Sequence, residues 1–113
     1  MGDKKVAIIM STYNGEKYIS QQIDSILNQT FSDFEIILVN DGSPDNSGKL
    51  CDELAEKHNN ITVIHQENQG LSITRNNGLQ AASGEYIYFL DSDDWIENNT
   101  LEFLLQEIKK ESA

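Results

Sequence analysis

Four short apolar runs, "VAIIM", "FEIILVN", "ITVIH" and "YIYFL", are separated by longer segments whose apolar residues recur at helical spacing. That alternation narrows the fold most, because strands alternating with helices build βαβ units around a parallel sheet. The runs predict strands over Val6 to Met10, Phe34 to Asn40, Ile61 to His65 and Tyr86 to Leu90. Ile19, Ile23, Ile26 and Leu27 mark a first helix, and Leu50, Cys51, Leu54, Ala55 and His58 a second. A third is expected from about Gly70 to Ala82, stopped by Gly84 as its C′ residue, and a fourth carries Leu101, Leu104, Leu105 and Ile108 on one face.

Crossovers between parallel strands are right-handed and return every strand in the same direction, so the loops after the strands gather along one edge of the sheet. Ligands of open α/β sheets bind at that edge. Its loops read "STYNGE", "NDGSPDNS", "QENQG" and "DSDDW", whereas the opposite edge offers "QTFSD" and "AASGE", which carry far less chemistry.

Composition limits the partners. At 113 residues the chain is expected to be one domain. Eight Lys and Arg against 19 Asp and Glu give a net charge of −11, which argues against a nucleic-acid backbone or an anionic membrane surface. Metal cations and small polar ligands suit it better. The single cysteine, Cys51, forms no internal disulfide, and no secretory leader pattern opens the chain, so a cytoplasmic setting is expected. The apolar stretches are too short to span a bilayer.

Each loop has a chemical reading beside a structural one. Thr12, Tyr13 and Asn14 follow a buried strand and precede a helix, so their backbone groups are free to meet a ligand and Tyr13 offers a ring for stacking; alternatively Asn14 caps the helix and Tyr13 packs. Asp41-Gly42-Ser43-Pro44 makes a tight strand-to-helix turn, in which Asp41 either serves the turn or accepts a hydrogen bond from a nucleobase N–H, with Ser47 as the helix N-cap. Arg75 is the only arginine in the chain, about one helical turn beyond Gly70, where its planar fork of donors suits phosphate oxygens or an acidic neighbour.

The loop "DSDDW" packs Asp91, Asp93 and Asp94 into four residues. Acidic residues enrich first helical turns, which accounts for one carboxylate comfortably and for three poorly. Asp91, Asp93 and Glu102 fall on the first, third and twelfth positions of an EF-hand loop, but Trp95 and Ile96 stand where a ligand and a glycine are required, so that motif fails. An Asp-x-Asp with few other protein ligands suits Mg²⁺ or Mn²⁺, which take the rest of their shell from water and phosphate. His58 and His65 are too scattered for a zinc site and are read as structural.

Set side by side, "VAIIMSTYNGEKYI", "FEIILVNDGSPDNS", "NQGLSITRNNGLQAASGEYIYFLDSDDW" and "TLEFLL" resemble the opening half of the family 2 glycosyltransferases in order and spacing. The resemblance implies a GT-A type fold: a Rossmann-like three-layer αβα arrangement with a mostly parallel sheet, here ending after the fourth strand and helix. It implies that residues 1–113 form the nucleotide-sugar-binding half, with the acceptor-binding half and its general base beyond Ala113. Thr12, Tyr13 and Asp41 would hold uracil or another base, Arg75 would lie near the nucleotide, Asp91 would meet the ribose, and Asp93 would ligate Mn²⁺ or Mg²⁺. Ser11 stands where the family usually has proline. The implied reaction is metal-dependent inverting transfer from a nucleotide sugar, expected to be a UDP-sugar, to a saccharide or lipid-linked acceptor at the inner face of the membrane; homo-oligomerisation stays open.

Two other classes share parts of this pattern. A nucleotidyltransferase would share the base-binding edge but open on a Gly- and Arg-rich phosphate loop, which "STYNGE" is not. A phosphoacceptor receiver domain would want paired acidic residues after the first strand, where this chain has Ser11, Thr12 and Tyr13.

Overall fold

A computed structural model describes residues 6–13, 15–30, 32–83, 85–90 and 100–112. The elements follow in the order β1 (Val6–Thr12), α1 (Ile19–Leu27), β2 (Phe34–Asp41), α2 (Ser47–Lys57), β3 (Ile61–Gln66), α3 (Leu71–Ala81), β4 (Tyr86–Leu90) and α4 (Thr100–Ser112). All four strands are parallel, in the order β3-β2-β1-β4.

The two sheet faces explain the helix positions. Val6, Ile8 and Met10 of β1 and Phe34, Ile36 and Leu38 of β2 point to one face, where they pack with Ile19, Ile23 and Ile26 of α1, Cys51 of α2 and Leu101 and Leu105 of α4. Ile9, Ile37 and Val39 point to the other, joined by Ile64 and Ala82. The chain steps from β1 to β2 to β3 in one direction and then returns past both to reach β4. Keeping the same crossover hand on the return forces α3 onto the opposite face, which completes the three layers. The reversal falls between β1 and β4, the kind of place where open α/β sheets bind ligands at their carboxyl edge.

α3 lies very close to β1. A Cβ added at Gly78 would sit 2.4 Å from Ile9 Cγ2, so only glycine permits this approach.

Element ends differ from expectation in instructive ways. β1, β2 and β3 run one or two residues further, to Thr12, Asp41 and Gln66, because strand pairing continues through polar residues that hydropathy alone places in loops. α2 ends at Lys57, with His58 an extended C-cap. α3 ends at Ala81 with Ala82 as an extended C-cap whose N–H bonds back to Leu79, so the helix closes before Gly84, which lies outside the described residues. The N-cap of α1 is Tyr18 rather than Asn14, and that of α2 is Asn46, with Ser47 the first helical residue. Cys51 is fully buried, and burial, with Asp52 and Asp45 nearby, pushes its thiol up to about 12.

Candidate nucleotide-binding edge

The carboxyl ends of β1, β2 and β3 meet at matching levels: Thr12 pairs with Asn40, and Asp41 with Gln66. The three loops after these strands therefore leave the sheet together, and side chains of one loop bond to the backbone of the next.

Asp41 stands at the centre. It is 7% exposed, and its carboxylate accepts from the Gln66 amide (Oδ1 to Nε2, 2.8 Å), the Gln69 N–H (Oδ1, 2.8 Å) and the Gly70 N–H (Oδ2, 3.2 Å). Burial by itself raises the carboxyl, but these donors outweigh it and hold Asp41 below the usual carboxylate range. The side chain thus organises a turn, though not its own: it grips the loop after β3. The Asn68 amide adds a bond to the Asp41 carbonyl at 3.2 Å. Gly42, at φ +70°, makes the tight turn out of β2, and a Cβ there would lie 2.6 Å from the Asn68 backbone nitrogen.

A second set of bonds ties the loop after β1 to the loop after β2. Ser47 Oγ accepts from the buried Gly15 N–H at 3.0 Å. Asp45 accepts from the Ser47 N–H (3.0 Å) and the Glu16 N–H (3.2 Å). Despite the raising effect of burial, the Ser47 hydroxyl and these backbone donors hold Asp45 below the usual range as well. The hydroxyl assigned by sequence to capping α2 is thus used across the loop boundary. Asn40 takes the Ser43 N–H on Oδ1 (3.2 Å), which turns its amide nitrogen toward His65 Nδ1 (3.1 Å), while His65 Nε2 faces Asp52 (2.8 Å). His65 is structural, as expected.

The sequence-predicted residues divide into three groups. Thr12, Tyr13 and Asp41 come to the same edge. Thr12 is buried and its Oγ1 has no hydrogen-bond partner among the described residues, while Tyr13 is 51% exposed, which leaves its ring available rather than packed. Arg75 instead reaches toward β4, with its guanidinium 5.1 Å from the centre of the Phe89 ring. Phe89 is one residue before the last described position of β4, Leu90, so Arg75 lies toward the start of the acidic loop. Asn14, Asp91 and Asp93 lie outside the described residues, and the metal assignment falls there with Asp93. Among the described residues no group of three His, Cys, Asp or Glu is placed to hold a metal ion, and no helix is long and apolar enough to cross a membrane.

Gln66, Asp45 and Ser47 were not legible as site residues. Gln66 could have been found by aligning strand ends, since it stands level with Asp41 once β2 and β3 are in register.

Comparison with known proteins agrees with this geometry. The chain is 47% identical over 111 residues to glycosyltransferase GlyA of Streptococcus pneumoniae, covering 98% of this chain and 16% of that protein. It is 50% identical over 101 residues to the putative glycosyltransferase EpsH of Bacillus subtilis, covering 89% of this chain and 29% of that one. Among solved structures, TarS 1-349 of S. aureus in complex with UDP superposes with a TM-score of 0.84 at 34% identity, over 94% of this chain and 32% of TarS. The mannosyltransferase PcManGT from Pyrobaculum calidifontis, solved with GDP-Man and Mn²⁺, gives 0.79 at 28% identity, over 88% of this chain and 30% of that chain. The chain therefore spans no more than about a third of the length of any of these four. The model of "Glycosyl transferase family 2" matches residues 7–113, nearly the whole sequence, and the chain belongs to that family.

Proposed function

We propose that this chain binds the nucleotide of a nucleotide-sugar donor at the carboxyl edge of its sheet, as the donor-binding part of a glycosyltransferase. The observation that carries the reading is Asp41: a largely buried, ionised acceptor, held by neutral donors, at the edge where the loops bearing Thr12 and Tyr13 converge. A buried carboxylate bonded by uncharged donors is suited to a ligand N–H, and uracil presents one at N3. Thr12 Oγ1 adds a buried hydroxyl without a partner among the described residues, and Tyr13 an exposed ring. TarS has been solved with UDP and with UDP-GlcNAc, which supports a uridine donor here.

Transfer builds negative charge on the departing diphosphate. A divalent ion, when bound, neutralises that charge as a Lewis acid, and Asp93 is the residue we assign to hold it. The Mn²⁺ bound in PcManGT supports a divalent ion in the reaction. Asp91 is assigned to the ribose, Asn14 to the donor-side loop, and Arg75 to the neighbourhood of the phosphates. Inversion at the anomeric carbon, a saccharide or lipid-linked acceptor at the cytoplasmic face of a membrane, and a general base outside residues 1–113 complete the proposal. A matching relative in B. subtilis is named minor teichoic acid biosynthesis protein GgaB, which favours a cell-surface polymer as acceptor.

The test is calorimetric titration of the chain with UDP, GDP and CDP in Mn²⁺. Saturable UDP binding that exceeds CDP binding is expected. Absence of any nucleotide binding sinks the proposal.

A further inference from the structure

Gln66 is bonded on both sides of its amide. Its Nε2 donates to Asp41 Oδ1 at 2.8 Å and to Thr74 Oγ1 at 3.1 Å, and its Oε1 accepts from Asn77 Nδ2 at 2.6 Å. The orientation follows from the backbone outward. The Thr74 hydroxyl donates to the Gly70 carbonyl at 2.9 Å. Thr74 must then accept from Gln66, and Asp41 accepts as well, so the amide nitrogen faces both.

The consequence falls on Asp41. A carboxylate offers about four lone-pair directions, two on each oxygen. Gln66 and Gln69 occupy both on Oδ1, Gly70 takes one on Oδ2, and the Thr74 hydroxyl lies beside the carboxylate and helps to hold it ionised. We infer that Gln66 is a positioning residue for base selection: by filling Oδ1 from the neighbouring strand, it leaves Oδ2 as the one acceptor of Asp41 open to a nucleobase and holds Asp41 as an acceptor only. The inference rests on the proposed nucleotide-binding role of this edge. An acceptor-only carboxylate selects a base edge that presents N–H and rejects the N3 acceptor of cytosine.

The experiment compares UDP and CDP affinity between pH 7.5 and 5.5 for the unaltered chain, Gln66→Glu and Gln66→Met. The groups bonded to Asp41 from β3, from the loop after it and from α3 are uncharged; the ionisable residues on the surrounding elements are Glu67, Arg75, Asp45, His65 with its partner Asp52, and, on α2, Lys49, Glu53, Glu56 and Lys57. In Gln66→Glu the donor is replaced by a second carboxylate against Oδ1, and two carboxylates at that distance share a proton. The shared proton lies on Oδ1, so Oδ2 becomes the oxygen of a neutral acid, which accepts uracil N3–H more weakly and repels the N3 acceptor of cytosine less. The UDP-to-CDP ratio of Gln66→Glu should therefore fall about fivefold or more as the pH drops, while the ratio of the unaltered chain stays flat. Gln66→Met removes the bond without adding charge and should lower the ratio about three- to tenfold at every pH, the equivalent of one hydrogen bond. Loss of folding alone would scale both nucleotides together and leave the ratio unchanged. A flat ratio for Gln66→Glu together with an unaltered ratio for Gln66→Met overturns the inference while leaving the nucleotide-binding reading intact. Failure of the unaltered chain to prefer UDP overturns the reading itself, and the inference with it.

Discussion

Ser47 Oγ accepts the buried N–H of Gly15 at 3.0 Å, across 32 residues of sequence, and so fastens the loop after β1 to the first turn of α2. Both residues are buried, and the same Ser47 hydroxyl also serves Asp45. Ser47→Ala should leave the Gly15 donor unsatisfied and destabilise the chain by about 1–3 kcal/mol. Urea unfolding measures the loss. The same variant should also weaken UDP binding, because Thr12 and Tyr13 ride on the loop that is released. A midpoint equal to that of the unaltered chain would remove Ser47 from the scaffold.

The second prediction concerns the packing of α3 on β1. A Cβ at Gly78 would lie 2.4 Å from Ile9 Cγ2, well inside any real contact, so Gly78→Ala should cost about 1–3 kcal/mol despite the better helix propensity of alanine. Ile9→Ala removes the obstructing methyl and is itself destabilising. Combined, the two should be strongly non-additive, with the double variant less destabilised than the sum. Additive effects in a double-mutant cycle by thermal unfolding would mean that α3 does not sit where it is described.

Those two residues also show what the sequence could reveal. The alternation of β-branched runs with helical segments placed all four strands and all four helices in order, because periodicity reports burial directly: Ile8, Ile36 and Ile23 are fully buried, as their spacing requires. Asp41 was legible because a carboxylate at the end of a buried strand is chemically conspicuous. Gln66, Asp45 and Ser47 were not, since what they do depends on register between strands and on loops brought together by crossovers. Ser47 is the sharpest case. Locally it suits an N-cap, yet the fold supplies it with a donor from another loop and shifts the cap to Asn46.

A third prediction tests the acidic loop. If Asp93 holds the divalent ion, UDP should bind much more tightly with Mn²⁺ than with chelator, and Asp93→Ala should abolish that difference. The substitution should leave the fold unchanged in circular dichroism. Equal UDP affinity with and without metal in the unaltered chain would refute the assignment of Asp93.

The last prediction turns on Asp41, where stability and selectivity are coupled. Its folded-state carboxyl lies below the ordinary value of 3.8, so ionisation stabilises the fold in full above that value, and the contribution is lost as the pH falls through the lower folded-state value. Asp41→Asn keeps one acceptor oxygen and turns the other into a donor, which must then face Gln66 Nε2, Gln69 N–H or Gly70 N–H. The loss of charge-assisted bonds should cost about 1.5–3 kcal/mol near neutral pH. The difference in stability between the two chains should shrink as the solution is acidified below 3.8, because protonation brings the unaltered chain toward the same neutral state. Binding should change in a different way. Uridine loses a charge-assisted bond from N3–H, whereas cytidine loses the repulsion of two opposed acceptors, so UDP weakens and its advantage over CDP narrows or vanishes. A carboxylate that served only the loop after β3 would also show the stability loss on substitution, but it would weaken UDP and CDP equally. Paired urea titrations and calorimetry on the same preparation separate the two roles, and an unchanged UDP-to-CDP ratio in Asp41→Asn would confine Asp41 to the scaffold.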